Sequence, residues 1–205
     1  MIRKTITTAV ALTIMLFMQV QAKQLSEDAI KETIVKHSLE MNVDPALALS
    51  IAKKESGFRH ELRSSHGAVG VFQLLPSTAK RMGYNPYYLS ENIKAGLAYY
   101  KMMYKMFGST ELALAAYNAG PGNVKKYGGK VPPYAETKRF VHIIMQDYNN
   151  QKKNPDPAIA KVRQEKVQKL PDRQTEAENQ AKEFELPKLN EIPEIRDSEP
   201  VMEIL

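Results

Sequence analysis

The sequence predicts a mainly α domain with little or no β-structure. Apolar residues recur at spacings of three and four through residues 24–150, helix-start and helix-stop residues punctuate that stretch, and only residues 69–74 have an extended pattern. The 205-residue chain is 43% hydrophobic and 25% charged, so it can form a core of ordinary size. It contains no cysteine, which excludes disulfides, cysteine nucleophiles and thiolate metal sites.

Three helices are expected in the first half of this region. The first carries four residues on one face: Ile30, Ile34, His37 and Met41. The second begins with Asp44 as its N-cap before Pro45, runs to about residue 56 and stops at Gly57. Residues 76–82 form a short third helix that a glycine closes.

Three further helices are expected in the second half. The clearest carries five apolar or aromatic residues at alternating spacings of four and three: Ile93, Leu97, Tyr100, Tyr104 and Phe107. It ends at Gly108. A short alanine-rich helix over residues 110–118 stops at the Gly-Pro-Gly turn of residues 120–122, and a last helix is expected over residues 133–149. These elements make up a predicted domain of residues 23–150.

The first 22 residues have the pattern of a secretory signal peptide. A basic region at Arg3 and Lys4 precedes a mostly apolar stretch over residues 9–20, and Ala22 stands at the expected cleavage point. The apolar stretch is short for a membrane span, which needs about 20 residues. The alternative is an uncleaved signal anchor. The pattern therefore predicts export to the periplasm and no stable membrane anchor.

Residues 151–205 differ in composition from the domain. They contain 10 Lys and Arg and 12 Asp and Glu with few aromatic residues, so they bury too little apolar surface to offset the entropy of ordering. We expect a mostly disordered tail with transient helices over residues 162–170 and 175–184. The net charge of +6 belongs to the domain and suits a polyanionic partner such as nucleic acid, anionic lipid or acidic cell-wall polymer.

Glu55 is the first candidate for a catalytic residue. It lies at the end of the second helix, three residues after Ala52 and four after Ile51, so it projects from the apolar face. Desolvation disfavours the charged form of a carboxyl group there, and a carboxyl that stays protonated near neutral pH can act as a general acid. The alternative is an ordinary helix-terminal glutamate that pairs with Arg59 or Arg63.

Two later segments suit sugar binding. Gly67 and Gly70 let the backbone approach a ligand closely, and Gln73 offers both a donor and acceptors. Tyr117 can cover the apolar face of a sugar, and Asn118 can bind an N-acetyl or hydroxyl group. Each segment also has a simpler interpretation, since paired glycines mark turns and a Tyr-Asn pair can be a buried ring followed by a turn cap.

Four motifs occur in order along the chain. They are Glu55-Ser56-Gly57-Phe58, Gly67-Ala68-Val69-Gly70-Val71-Phe72-Gln73, Ala116-Tyr117-Asn118-Ala119-Gly120 and Pro133-Tyr134-Ala135-Glu136-Thr137-Lys138. This order resembles the soluble lytic transglycosylase family, including members associated with secretion and conjugation. The resemblance covers about residues 24–148 and implies a lysozyme-like helical fold. The chain departs from the family at residues 71–72, where Leu-Met is usual, and at Lys138, where Arg is usual.

The resemblance implies cleavage of the β-1,4 bond between N-acetylmuramic acid and N-acetylglucosamine without water, leaving 1,6-anhydromuramic acid ends. Glu55 would be the single catalytic acid and base. Matching positions assign substrate contacts to Ser64, Gln73, Tyr117, Asn118, Tyr134 and Glu136. We expect a monomer that acts on glycan strands and needs no cofactor. No metal is expected, because no histidine shows ligand spacing to an acid. A secretion or conjugation machine is a further expected partner, through the tail.

Two other classes of function stay open at this point. A goose-type lysozyme, which is a hydrolytic muramidase, would cleave the same bond with water and leave reducing ends. A non-catalytic wall-binding assembly factor would use the same groove for binding alone, although the intact Glu55 favours an enzyme. The basic charge also fits DNA binding, but the lysines are scattered and no recognition motif is present, so no nucleic-acid partner is expected.

Overall fold

The computed structural model describes residues 27–168, and helices form most of that range. Eight helices follow in order: α1 (residues 27–40), α2 (Pro45–Ser56), α3 (Pro76–Arg81), α4 (Leu89–Phe107), α5 (Thr110–Ala119), α6 (Pro121–Lys126), α7 (Ala135–Lys153) and α8 (Pro157–Gln168). Within the described residues extended structure is limited to two isolated bridges, which join Val69 to Arg63 and to Leu74. The mainly α prediction is confirmed.

Helix α2 has the ends that its sequence predicts. The Asp44 carboxylate accepts a hydrogen bond from the Ala46 N–H at 2.9 Å, which satisfies one of the free donors of the first turn. At the other end Gly57 adopts a left-handed conformation with φ of 59°, and its N–H donates to the Lys53 carbonyl. These two caps fix the length of α2 and place Glu55 in its last turn.

Helix α5 lies at the centre of the packing. It contacts α4, α6 and α7, and α7 also packs along α2. Residues 113–116 of α5 are three alanines and a leucine, and all four are fully buried. Small side chains let the neighbouring helices approach closely, because a protein interior is packed to nearly crystalline density. The functional motifs at the ends of α2, α5 and α7 are brought together by this arrangement.

Helix α6 is absent from the sequence prediction, which has only a turn at residues 120–122. Gly120 does turn the chain, with φ of 84°, but Pro121 then occupies the first position of a helix that runs to Lys126. Val124 is the only residue of this helix that is buried. One apolar residue in six shows no periodicity, so the helix cannot be recognised from the pattern.

The helical region continues past the boundary predicted at residue 150, which falls inside α7. In α8 three apolar side chains are buried: Ala158, Ile159 and Val162. Lys161 pairs with Glu32 of α1, and Asp156 lies 3.5 Å from the Lys31 ammonium group. The predicted boundary is therefore corrected, since residues 151–165 belong to the helical unit. The prediction missed this because α8 is rich in charge and its buried face is only three residues long.

The chain divides into two compact units, residues 1–165 and 166–205, and the structure describes only residues 166–168 of the second. The predicted signal peptide and the helix expected over residues 175–184 lie outside the described residues. Among residues 27–168, no helix has both the length and the apolar content that crossing a bilayer requires.

Candidate active site

A cleft of about 320 Å³ is formed where the ends of α2, α5 and α7 meet α4 and the segment of residues 64–78. Six of the sequence-predicted site residues line it: Glu55, Ser64, Gln73, Tyr117, Asn118 and Glu136. They come from positions up to 81 residues apart, counted from Glu55 to Glu136. The fold therefore assembles residues from all four motifs into one concave surface.

Glu55 lies in the last turn of α2, half-buried at the wall of the cleft. Burial raises the pKa of its carboxyl group to about 8; the neighbouring Lys54 opposes this rise and the charge of Glu136 adds to it. The negative end of the α2 dipole also disfavours an anion at this position. Among residues 27–168 no hydrogen-bond donor contacts the carboxylate. Glu55 is therefore mostly protonated near neutral pH and can donate a proton.

The structure excludes the ordinary salt-bridge interpretation of Glu55. The Arg59 Nε–H donates to the Ser56 carbonyl at 2.9 Å, at the end of the same helix. Arg63 uses its guanidinium on the carbonyls of His60 and Leu62, at 3.0 and 2.9 Å. Both arginines donate to backbone oxygens, and among the described residues neither forms an ion pair with Glu55.

Ser64 and Gln73 are held by the backbone beside the cleft. The Ser64 hydroxyl accepts the Ala68 N–H at 3.0 Å and keeps its own proton for a further partner. The Gln73 side-chain N–H groups donate to the carbonyls of Gly70 and Leu62, at 2.8 and 3.2 Å. Its amide oxygen is not used in these bonds. One hydroxyl donor and one amide acceptor are thus oriented for a polar ligand.

Tyr117 and Asn118 form the wall at the end of α5. The Tyr117 hydroxyl donates to the Phe72 carbonyl at 2.8 Å, and its ring packs edge-on against Tyr99 with centroids 5.1 Å apart. Burial, and next the charge of Glu55, raise the pKa of Tyr117 well above its ordinary value. The Asn118 amide oxygen accepts the Thr137 hydroxyl at 2.7 Å, which turns its N–H groups elsewhere.

Glu136 and Tyr134 sit together at the start of α7 but face different surroundings. Glu136 is exposed in the first turn and lines the cleft. Tyr134, whose role the resemblance implies, is not among the residues that line it. Its hydroxyl donates to the Asn123 amide oxygen at 3.1 Å, and its ring packs edge-on against Tyr127, 5.7 Å away. The structure thus places Tyr134 against α6, next to the cleft.

Among the polar and aromatic side chains that line the cleft, sequence reasoning missed three: His66, Thr78 and Tyr99. His66 stands inside a segment singled out for its glycines, and Thr78 lies in α3. Tyr99 adjoins Tyr100, which the helical periodicity of α4 places in the core, and a helical wheel would have put Tyr99 on the flanking face. No signal in the sequence connects α3 or α4 with the cleft, because neither carries one of the four motifs.

The described residues form a helical domain in which a desolvated carboxyl group lies at a helix end. This carboxyl group faces polar and aromatic side chains across a cleft. That is the lysozyme-like arrangement that the motifs imply. The comparisons with known proteins agree. The chain belongs to the transglycosylase SLT domain family, whose model matches residues 32–140.

Curated relatives show the same similarity. The chain is 33% identical over 129 residues to a transglycosylase of Enterobacteria phage PRD1, covering 62% of this chain and 46% of that protein. It is 30% identical over 128 residues to a soluble lytic murein transglycosylase of Salmonella typhimurium, with coverages of 57% and 20%. The corresponding Escherichia coli K12 protein is 32% identical over 114 residues, covering 50% and 18%. The chain thus spans less than half the length of these relatives.

Two solved structures resemble the fold. The lytic transglycosylase Slt of Pseudomonas aeruginosa superposes with a TM-score of 0.52 at 27% identity, over 62% of this chain and 25% of that one. That structure is of an inactive mutant in which a glutamate is replaced by glutamine. The 70 kDa soluble lytic transglycosylase of Escherichia coli gives a TM-score of 0.54 at 25% identity, with the same coverages. The lysozyme-like helical fold is therefore confirmed.

Proposed function

We propose that this protein is a peptidoglycan lytic transglycosylase with Glu55 as its catalytic acid and base. It cleaves the β-1,4 bond between N-acetylmuramic acid and N-acetylglucosamine and leaves 1,6-anhydromuramic acid ends. The observation that carries the proposal is the position of Glu55, a carboxyl group with a pKa of about 8 that faces a polar cleft. The family membership and the names of the relatives support the same substrate class.

The proposed reaction needs one carboxyl group in two successive roles. Protonated Glu55 donates its proton to the glycosidic oxygen, and the bond from that oxygen to the anomeric carbon of muramic acid breaks. The ionised Glu55 then takes the proton of the muramic 6-hydroxyl, whose oxygen bonds to the anomeric carbon. The proton balance closes, because the acid is restored as the anhydro ring forms. No water enters, so no second carboxylate is required to activate one.

The residues around Glu55 support this use of it. Ordinary glycosidases divide the work between two carboxyl groups. Here the Ser64 hydroxyl and the Gln73 amide oxygen are oriented to hold sugar groups, and the Asn118 amide adds further donors. Tyr117 remains protonated and packs beside the acid. In the Pseudomonas aeruginosa relative, a glutamate-to-glutamine mutant is described as inactive, which supports a single essential glutamate.

A hydrolytic muramidase is the second candidate, and Glu136 is the observation that favours it. Its carboxylate lines the same cleft, and its charge raises the pKa of Glu55. The experiment that separates the two is digestion of purified sacculi followed by mass spectrometry of the muropeptides. Anhydro products, lighter by one water than reducing-end products, are expected. Reducing ends from the purified protein would assign hydrolysis instead.

We also propose that the protein is exported to the periplasm, where a peptidoglycan substrate is found. The support is the basic, apolar and small-residue pattern of residues 1–22. Fractionation of cells, with the N-terminus of the exported protein determined by mass spectrometry, tests this: cleavage after Ala22 is expected. That residues 151–205 bind a secretion or conjugation machine stays a prediction.

A further inference from the structure

We propose that Asn92, in α4, is a positioning residue for Glu55. It fixes the peptide groups of residues 69–72 so that the Phe72 carbonyl accepts the hydrogen bond of the Tyr117 hydroxyl, which leaves Glu55 without a donor. None of the four sequence motifs contains Asn92. The inference rests on the proposed function, because it assumes that Glu55 acts as an acid.

Asn92 makes three hydrogen bonds with its amide group, two to the loop of residues 69–72 and one to Pro86. Its Oδ1 accepts the Phe72 N–H at 2.9 Å, and its Nδ2 donates to the carbonyls of Val69 and Pro86, at 2.8 and 3.1 Å. The side chain is fully buried. A buried amide is costly unless it is satisfied, so these three bonds specify one arrangement of α4 and the loop.

Two glycines allow the close approach on which these bonds depend. A Cβ atom on Gly70 would lie 2.5 Å from the Asn92 Nδ2, and one on Gly96 would lie 2.3 Å from the Phe72 ring. Real Cβ atoms do not approach so closely, so the loop and α4 meet along a surface that larger residues would separate. The loop therefore takes its position from α4, and Asn92 supplies the polar part of that contact.

Phe72 links Asn92 to the acid. Its N–H is held by Asn92, and its carbonyl accepts the Tyr117 hydroxyl at 2.8 Å. A phenol has one proton, so a Tyr117 that donates to Phe72 cannot also donate to Glu55. The Tyr117 hydroxyl and the Glu55 carboxyl group are close, since the charge of Glu55 raises the pKa of Tyr117. A donor to an ionised carboxylate stabilises that form, so its absence keeps Glu55 protonated.

Three other residues act on the loop of residues 69–72 or on the charge of Glu55. Ser56, next to Glu55 in α2, donates to the Val71 carbonyl at 2.9 Å and so holds the same loop from the opposite side. Lys54 and Glu136 are the charges that influence Glu55, and they act in opposite directions. The Val71 carbonyl and the Phe72 N–H belong to one peptide group, so Ser56 and Asn92 hold its two ends. The state of the Tyr117 hydroxyl is therefore controlled through the Phe72 peptide groups, and Asn92 is the residue that orients them from α4.

The test uses Asn92→Ala and soluble, uncrosslinked glycan strands, so that kcat and KM are measured separately across pH. Releasing the loop frees the Tyr117 hydroxyl to donate to Glu55, so the alkaline limb of the kcat/KM profile moves to lower pH. We expect kcat to fall roughly 10- to 100-fold, as for small misplacements of a catalytic group, while KM changes by less than about threefold.

Two further variants separate positioning from simple stability. In the double variant Asn92→Ala/Tyr117→Phe the donor is gone, so the alkaline limb returns towards its wild-type pH. Ser38→Ala is the matched control: this fully buried hydroxyl of α1 donates to the Val35 carbonyl at 2.8 Å, away from the cleft. It is expected to lower the melting temperature without moving the limb.

Asn92→Asp guards against a failure of Asn92→Ala to fold. Protonated in this buried site, the carboxyl keeps the acceptor for the Phe72 N–H and one donor for a single carbonyl of the Val69 and Pro86 pair, so a smaller shift in the same direction is expected. An alkaline limb at the wild-type pH in every folded Asn92 variant would overturn the proposal and make Asn92 merely structural. A wild-type protein that digests glycan without any alkaline limb would instead count against Glu55 as the acid, and thus against the proposed function.

Discussion

The two carboxyl groups of the cleft have the same chemistry and opposite surroundings. Glu55 ends a helix, where the negative pole of the dipole and burial both oppose its charge, and its pKa rises to about 8. Glu136 begins a helix, exposed in the first turn of α7, where the positive pole favours an anion. Under the proposed function these surroundings divide the roles: Glu55 supplies a proton near neutral pH, and Glu136 contacts substrate.

Replacing Glu55 by Gln is the strongest test of the difference between the two carboxyl groups. The amide keeps the shape of the side chain but neither donates nor accepts the catalytic proton. General acid–base catalysis alone contributes about 100- to 10,000-fold, so release of muropeptides from sacculi should fall by at least that range. Unchanged thermal melting shows that the variant is folded. Turnover within about threefold of the parent would mean that the acid lies elsewhere, since such a loss is far below that contribution.

The pH profile of the parent enzyme measures the state of Glu55 directly. A general acid works only when protonated, so kcat/KM should fall as pH rises through about 8, the pKa of Glu55. Above that value the decline should approach about tenfold for each pH unit, because one proton is lost. Rates on soluble glycan strands check this. A decline that begins near the ordinary glutamate pKa of 4.5 would show that burial does not hold Glu55 protonated.

Replacing Glu136 by Gln should have a smaller effect. If this residue contacts substrate as a charge, its loss should cost less than about tenfold in kcat/KM, below the range of acid–base catalysis. Removing a negative neighbour should also move the alkaline limb to slightly lower pH, because the charge of Glu136 raises the pKa of Glu55. Losses equal to those of Glu55→Gln, in a folded variant, would make the site a two-carboxylate hydrolase.

Shortening the chain far from both carboxyl groups should have the smallest effect on chemistry. A chain ending at Asn150 loses the last residues of α7 and the buried side chains of α8, so its melting temperature should fall by about 5 °C or more. A chain ending at Gln168 keeps them and should melt like the parent. Both should give the same anhydro products at low temperature. Equal melting of the two would place the boundary back at residue 150.

Much of the site could be predicted because the information is local. The caps of α2 and the spacing of Glu55 from Ile51 and Ala52 determine where that side chain points, and both are written within fifteen residues, from Asp44 to Gly57. The contribution of Tyr99 could not be predicted in this way. It depends on how α4 packs against α5, through contacts between distant parts of the chain.

The contrast between local and long-range contacts also explains where the structure departs from the predictions for α8 and Tyr134. Helix α8 has three buried apolar residues among many charged ones, so its composition predicts disorder. Its ordering comes from α1, more than a hundred residues earlier, through Lys31 and Glu32. Tyr134 belongs to the same motif as Glu136, which lines the cleft, but its ring packs against Tyr127. Neither partner is visible in the local pattern.

The contact of α1 with α8 has a consequence for how this domain can be combined with others. Asp156 and Lys161 lie against Lys31 and Glu32, so the chain enters and leaves the helical unit at neighbouring points. A unit with adjacent ends can be spliced into another polypeptide without stretching either one. Residues 27–165 are therefore suited to insertion into another protein, or to circular permutation, where α1 meets α8. Family members of very different length, of which this chain spans 46% and 18% in two cases, show that nature has reused the module in larger proteins.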